Sequence, residues 1–342
     1  MAAFNPRSWS RVLLGAGAAL LVGFGLSWLY AAQRLGDFLH QRVFDGAAFA
    51  DFCATSEVGG FPFRLKLTCA GFAAPAQIGG LTLMAKADEA KGSASLWSPN
   101  RISVTFSSPL SLQRADSAFA KVRHDGLALD FAWGSGGLSQ AALSAQALDW
   151  RPEVLEAGPA FNIQALNFAA RPSDRDGVPS AHVEFSTEGL TAPLLQSLLK
   201  DPGANALDVA GDMVPPPPLR GDWPAALESW RLRKGVAHID KGEWRWAQVT
   251  ARFNGSLALD ENHRLTGTIN VKASGADQLL AKLGLPIANA AAKNLIGALF
   301  GQKPQDKTQN GAQDDSVSLT FRLSEGRVLL GPIKVATLAP LY

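Results

Sequence analysis

The chain has 342 residues, 47% hydrophobic and 18% charged, which excludes a disordered polymer and leaves apolar material for a sizeable core. A formal net charge of +2 gives no electrostatic case for nucleic acid or for an acidic membrane patch. Two tyrosines and two cysteines beside nine tryptophans and 33 glycines fit turn-rich β structure.

Residues 12–32 form 21 consecutive positions without a charge, after Arg11. As a helix they would be about 31 Å long, enough to cross the hydrocarbon core of a bilayer. A cleaved signal peptide has a shorter apolar core and a small-x-small exit. The exit here carries Trp28, Leu29 and Tyr30, which suit an interfacial aromatic belt. The expectation is an uncleaved anchor, with residues 1–34 forming a cytoplasmic tail and a transmembrane span. Arg7 and Arg11 precede the span, and the positive-inside rule leans toward a cytoplasmic N-terminus. Cys53 and Cys69 follow shortly after it. An even count at close spacing suits a disulfide in an oxidising compartment. Two buried free thiols are the alternative, and a metal site lacks nearby ligands.

Beyond Arg34 the helical spacing of Leu35, Phe38 and Leu39 carries the first helix toward Phe49 or Phe52. Period two then takes over. Phe61, Phe63, Leu65 and Leu67 alternate with polar residues or proline, and Ile102, Val104 and Phe106 repeat the pattern. So do Leu127, Leu129, Phe131 and Trp133; Val183 and Phe185; Leu257 and Leu259; Leu265, Ile269 and Val271; and Val317, Leu319, Phe321 and Leu323. Such strands bury one face and wet the other, the antiparallel signature. Helical patterns interrupt at residues 193–200, at Trp223–Leu232 and at residues 277–300. The expected fold is mainly β with a few helices: an extended, twisted antiparallel sheet, partly helix-covered, behind the N-terminal transmembrane helix.

Two stretches repeat faintly: Val183 to Gly189 and Ile269 to Gly275 each run strand, glycine, then leucine-rich helix. Between them residues 213–222, with four consecutive prolines, form a stiff connector. The expected organisation is a β-rich first half over 35–212, the connector, and a second half over 223–342. The polar stretch 301–316 has no periodicity and is expected to be a loop. The connector is either a domain boundary or a loop between halves of one continuous sheet.

Chemistry-bearing motifs are sparse. The five histidines form no HxxxH or HExxH pair, and no catalytic serine elbow or phosphate loop occurs. His238 and Asp240, two apart on an expected strand with Glu243 close by, would make a His–carboxylate pair. A solvated strand face is the commoner meaning of that spacing. His124 and His263 fall in turn sequences. Trp244 and Trp246 would present two indoles on one face, as a stacking platform or, more commonly, as core. No catalytic residue, cofactor site or metal site is indicated.

Gly60-Phe61-Pro62-Phe63-Arg64-Leu65 with Leu67-Thr68-Cys69, and the closing Gly326-Arg327-Val328-Leu329-Leu330-Gly331-Pro332-Ile333, resemble an uncharacterised family of anchored alphaproteobacterial envelope proteins. That resemblance implies no catalytic residues. Leu232 to Asp240, and Gly255 to Asp260 with Leu265 to Ile269, are similar to AsmA-like proteins, which are inner-membrane-anchored and face the periplasm. This second resemblance implies curved sheets with an apolar groove and a role in lipid movement or outer-membrane maintenance. The expectation is a single-pass inner-membrane protein with its bulk in the periplasm. It would be non-enzymatic and bind lipid or a hydrophobic protein segment, and would not bind nucleic acid. A scaffold or assembly factor with a sealed core is the alternative, and an enzyme ranks third. Labelling of denatured, unreduced protein is expected to find no free thiol at Cys53 or Cys69; two labelled thiols would remove the disulfide and weaken the periplasmic expectation.

Overall fold

The computed structural model describes residues 42–44, 47–78, 81–115, 117–135, 137–191, 205–218, 223–246, 249–275 and 316–342. The predicted span at 12–32, the helical patterns at 193–200 and 277–300, and residues 301–315 of the predicted loop lie outside these. Among the described residues no helix is long and apolar enough to cross a membrane.

Two short strands come first, β1 (Arg42–Phe44) and β2 (Ala47–Ala48), followed by a 3-10 turn at Phe49–Phe52. The helix expected to run on toward Phe49 is therefore replaced from Arg42 by a small hairpin. The sequence Asp45-Gly46 favours a turn over continued helix at this point. The main sheet starts with β3 (Thr55–Gly59), β4 (Arg64–Ile78), β5 (Leu81–Ser95), β6 (Ser98–Phe106), β7 (Leu110–Arg114), β8 (Ser117–Arg123) and β9 (Gly126–Gly134). It continues with β10 (Gly137–Pro152), β11 (Phe161–Arg175), β12 (Val178–Glu188) and β13 (Asn205–Val214). The helix α1 (Trp223–Leu232) intervenes before β14 (Val236–Trp246), β15 (Val249–Leu259), β16 (Leu265–Ser274), β17 (Val317–Ser324), β18 (Arg327–Leu330) and β19 (Ile333–Thr337). Phe61 and Phe63, read above as strand residues, stand in the β3–β4 turn.

All pairings in this sheet are antiparallel, and nearly all join neighbours in sequence. β13 pairs with β14 from Asn205↔Trp246 to Val214↔Val236, so the sheet is continuous across the proline connector. The exception is a bent hairpin. β6 with β7 forms one of its arms and β8 with β9 the other, each broken once. β6 pairs with β9 and β7 with β8, while β5 and β10 flank both halves, closing a ring of pairings within the sheet.

A crease crosses this region because each strand carries irregular residues at the same level. Gly71, at φ 62°, interrupts β4 between the pairs Ala70↔Glu89 and Phe72↔Ala87. Ala147, at φ 48°, does the same in β10 between Gln146↔Ala165 and Leu148↔Ile163. Between them the freed backbone groups find serine partners. Ser107 N donates to Glu89 O at 2.8 Å, Glu89 N donates to Ser107 Oγ at 2.9 Å, and His124 N donates to Ser108 Oγ at 3.0 Å. A skipped pair at this level also resets the side-chain phase. In β5 the buried positions are Leu83, Ala85 and Ala87, then Ala90 three residues on. In β10 Ala145 is followed by Leu148. Apolar side chains therefore stay on one side of the sheet while it folds over. The main core forms inside that fold from Leu83, Leu112, Phe119, Val122, Leu127, Ala145 and Ile163.

At the other half, α1 packs Leu227 and Trp230 on Leu259, Met213, Ala237 and Tyr342. Trp230 Nε1 donates to Pro215 O at 2.9 Å, and the indole covers Gly235, where a Cβ would meet it at 2.2 Å. Glu228 accepts two bonds from Arg231 at 2.7 and 2.8 Å and one from the Tyr342 hydroxyl at 3.0 Å. The Arg231 bonds, helped by Tyr342, hold the Glu228 carboxyl down to about 2. His263, expected in a turn, stacks on Tyr342 with ring centroids 4.4 Å apart.

A second line of tight backbone contacts runs through Gly211, Gly255 and Gly267. A Cβ at Gly255 would lie 2.1 Å from the Thr268 carbonyl oxygen, whereas one at Gly126 would meet nothing within 4 Å. Gly255→Ala is expected to cost about 1–3 kcal/mol through forced backbone movement, and Gly126→Ala to stay near wild type. Urea denaturation of the two variants checks this; equal midpoints would show that the second line is not tightly packed.

Candidate functional site

Cross-strand partners share a face, so the register shows what each face carries. One row across the sheet reads Leu65, Ala94, Ile102, Phe131, Ala141, Ala170, Val183, Gly211, Ile239, Gly255, Ile269, Phe321 and Leu330. The next reads Leu67, Gly92, Val104, Leu129, Leu143, Phe168, Phe185, Val209, Gly242, Phe253, Val271 and Leu319. A third runs from Cys69 through Ala90, Phe106, Leu127, Ala145 and Leu166 to Thr187, Leu207, Trp244, Ala251 and Ala273. From β4 to β18 the three rows hold a single polar side chain, Thr187. At about 4.8 Å per strand the face is roughly 50 Å wide.

Burial is uneven over this face. The third row is deepest where it joins the main core, with Cys69, Ala90 and Ala145 buried. The first two rows are mostly half-buried, and Ile102 and Phe168 are each 37% exposed. Among the described residues the only α-helix, α1, packs near Met213 and Ala237, toward one end of the strands, and leaves the middle rows uncovered. The two indoles expected on one face lie here: Trp244 and Trp246 stack with centroids 6.1 Å apart. Trp246 is buried, and its Nε1, like Thr187 Oγ1 and Asn205 Oδ1 nearby, has no hydrogen-bond partner.

The opposite face is polar. A recess of about 520 Å³ spans β10 to β14, lined by Ala142, Asn167, Ala169, Asp208, Ala210 and Lys241 together with Leu143, Phe168, Phe185 and Val209 of the second row. Beyond it lies a cluster of ionised groups. Arg175 forks onto Asp240 at 2.8 and 2.9 Å and also reaches Asp212 at 2.9 Å. Asp212 further bonds His182 Nδ1 at 3.0 Å and accepts from Ser173 at 3.1 Å. Burial pushes the Asp212 carboxyl up, but the bonds from His182, Ser173 and Arg175 outweigh it and hold the group below the usual carboxylate range.

The His238–Asp240 pair expected from spacing is thus only partly realised. Both residues border a second recess, but Asp240 is taken by Arg175. The closer His–carboxylate pair is His182 with Asp212, whose 30-residue separation hides it from any sequence window. Its second nitrogen faces Glu184 at 3.2 Å. The imidazole is held through Nδ1 by Asp212, with Glu184 beside its other nitrogen. Ser173 bonds Asp212 and Ser180, not the imidazole, so no activated nucleophile is assembled here. Among the described residues no three metal-ligating side chains converge. Cys53 and Cys69 are joined in a disulfide, with Cα atoms 5.3 Å apart.

His124 was expected in a polar turn but is only 5% exposed, inside the crease. Neither ring nitrogen has a partner in hydrogen-bond geometry. Burial pushes its pKa below the ordinary 6.5, partly opposed by Asp125 and the Ser107 carbonyl. The unfolded chain therefore binds this proton first, and stability should fall as pH drops through and below 6.5. His124→Phe is expected to flatten that dependence, measured as denaturation midpoints on either side of that pH. An unchanged slope would assign the dependence to other groups.

The family described as "Uncharacterized protein conserved in bacteria (DUF2125)" matches residues 28–339, and the chain belongs to it. No curated protein and no solved structure matches the chain.

Proposed function

We propose that this DUF2125 chain is a lipid-handling protein of the bacterial envelope, whose apolar sheet face receives acyl chains. The observation that carries the reading is the unbroken apolar register from β4 to β17. Soluble monomers rarely expose more than a few hundred Å² of contiguous apolar surface without a binding role for it. A face roughly 50 Å wide also exceeds the ~30 Å hydrocarbon core of a bilayer, so it can hold a whole acyl chain away from water. Residues 12–32 would tether this face to the inner membrane with the sheet in the periplasm. The Cys53–Cys69 bridge supports an oxidising compartment. The similarity to AsmA-like proteins points the same way. A binding role is favoured over catalysis because no nucleophile is bonded to the His182–Asp212 pair.

The experiment is native mass spectrometry with lipid extraction on the full chain purified in detergent, followed by titration with a fluorescent acyl probe. Co-purified lipid and saturable uptake are expected. Phe185 and Val271 lie on the second row and are half-buried. Phe185→Asp and Val271→Asp are expected to weaken probe binding at least tenfold, about 1.4 kcal/mol, with the far-ultraviolet spectrum unchanged. Folded wild-type protein that carries no lipid and takes up no probe would overturn the reading and leave a scaffold in its place.

A further inference from the structure

One end of the sheet carries a group of aromatic side chains on three neighbouring turns. Phe61 and Phe63 in the β3–β4 turn are 58% and 56% exposed, and Trp97 in the β5–β6 turn is 75% exposed. Trp133, at the end of β9 before the third turn, is 39% exposed. The turns are tied together. Leu96 N donates to Phe63 O at 3.1 Å, and Asn100 Nδ2 donates to Trp133 O at 2.9 Å. The aromatics therefore share one end of a rigid sheet. Arg64, Lys66 and Arg101 flank them, all exposed, and residues 60–66, 95–101 and 133–140 include no Asp or Glu.

We infer that this end is a membrane-contact surface that seats the turns at the headgroup level of an anionic bilayer. Four partly or largely exposed aromatic rings at loop tips carry a large cost in water, and the amphipathic indole is suited to the interfacial zone. The three exposed cations add attraction to anionic headgroups. The opposite end of the strands differs. Leu155 there is fully exposed, but it stands between Glu153 and Glu156, which pair with Lys121 and Arg114. Those pairs leave the tip without a surplus of positive charge to attract an anionic surface.

Contact here also gives the apolar face a direction. Leu65 lies two residues after Phe63 and Phe131 two before Trp133, so the first apolar row begins behind the aromatic turns. Phe131 and Trp133 are in ring contact, with centroids 6.0 Å apart. An acyl chain leaving the bilayer would pass the rings and meet Leu65, Ala94, Ile102 and Phe131 first. This consequence rests on the lipid reading above; the membrane contact itself does not.

The test uses the full chain in nanodiscs of phosphatidylcholine and phosphatidylglycerol with brominated acyl chains. A fluorophore is placed at Trp97→Cys or, in a separate variant, at Leu155→Cys. Quenching is expected to be several-fold stronger at 97 than at 155. Equal quenching at both positions, or none at 97, would overturn the inference. A shielded but unquenched label at 97 would indicate a protein partner and also overturn it. In a second arm the combined Phe61→Ser, Phe63→Ser and Trp97→Ser variant takes up an acyl probe from vesicles or as free monomer. Transfer from vesicles is expected to slow several-fold while uptake of monomeric probe persists. Wild-type protein that takes up neither form speaks against the lipid reading and leaves the quenching result to stand alone. Vesicle transfer unchanged in the folded variant would overturn the entry route.

Discussion

Antiparallel pairing between sequence neighbours fixes which side chains share a face, and here a shift of one residue in any strand would put polar groups among the apolar rows. The sheet is wide enough that it also has to bend, and a skipped pair at the bend changes the phase of the strands that cross it. The two demands are met together at the crease. Gly71 and Ala147 interrupt their ladders in the left-handed region without shifting the register, and Ser107 and Ser108 hydroxyls serve backbone groups released at that level. Because β4, β5, the bent hairpin and β10 all change phase at one level, the apolar side stays continuous and folds onto itself. Leu83 and Leu112 on one side of the crease thereby meet Leu127 and Ala145 on the other.

The polar face contributes differently. Its ion pairs lie mostly in solvent, where each is worth about 0–1 kcal/mol, so they explain little of the stability. Arg175 is more enclosed, and it bridges β11 to β13 and β14 at the level where β14 bulges between Ile239 and Gly242. A guanidinium that bonds two carboxylates on adjacent strands holds them in register where the ladder is irregular. The cluster is then best understood as a clasp on the strand ends, which His182 joins through its bond to Asp212.

Sequence periodicity found those strands whose alternating residues are large. Ile102, Val104 and Phe106 mark β6; Leu127, Leu129 and Phe131 mark β9; Leu319, Phe321 and Leu323 mark β17. The α1 helix was legible from the helical pattern at Trp223–Leu232. The alanine-rich strands were not: β4 beyond Cys69, β5 from Met84 and β10 give little hydrophobic contrast between faces, and the skipped pairs at the crease then break the period. The glycines ending β12 and β16, Gly189 at φ 64° and Gly275 at φ 71°, explain why two stretches looked like a repeat, since each strand needs the same backbone exit. Contacts of the polar cluster span 30 residues for His182–Asp212 and 65 for Arg175–Asp240. Only register brings them together, and no sequence window contains register. His124 was misjudged for the same reason: its neighbours look like a turn, and the crease that buries it is a property of four strands.

The apolar rows alternate large and small residues in a way that bears on selectivity. In the first row Ile102 and Phe131 are followed by Ala141 and Ala170, and Ile239 is flanked by Gly211 and Gly255. In the second, the Phe253 ring lies over Gly242, which has no side chain to displace it. A surface with such steps offers depressions one or two side chains wide and almost no hydrogen-bonding group. A ligand held there would be chosen by the width and flexibility of its hydrocarbon and not by its polar group, because van der Waals fit is the only discriminating contact available. Any headgroup would have to stay outside the rows, where the arginines beside the aromatic turns lie. Under the proposed lipid reading, the face and the turns would divide the recognition of one amphipathic molecule, apolar part by shape and polar part by charge.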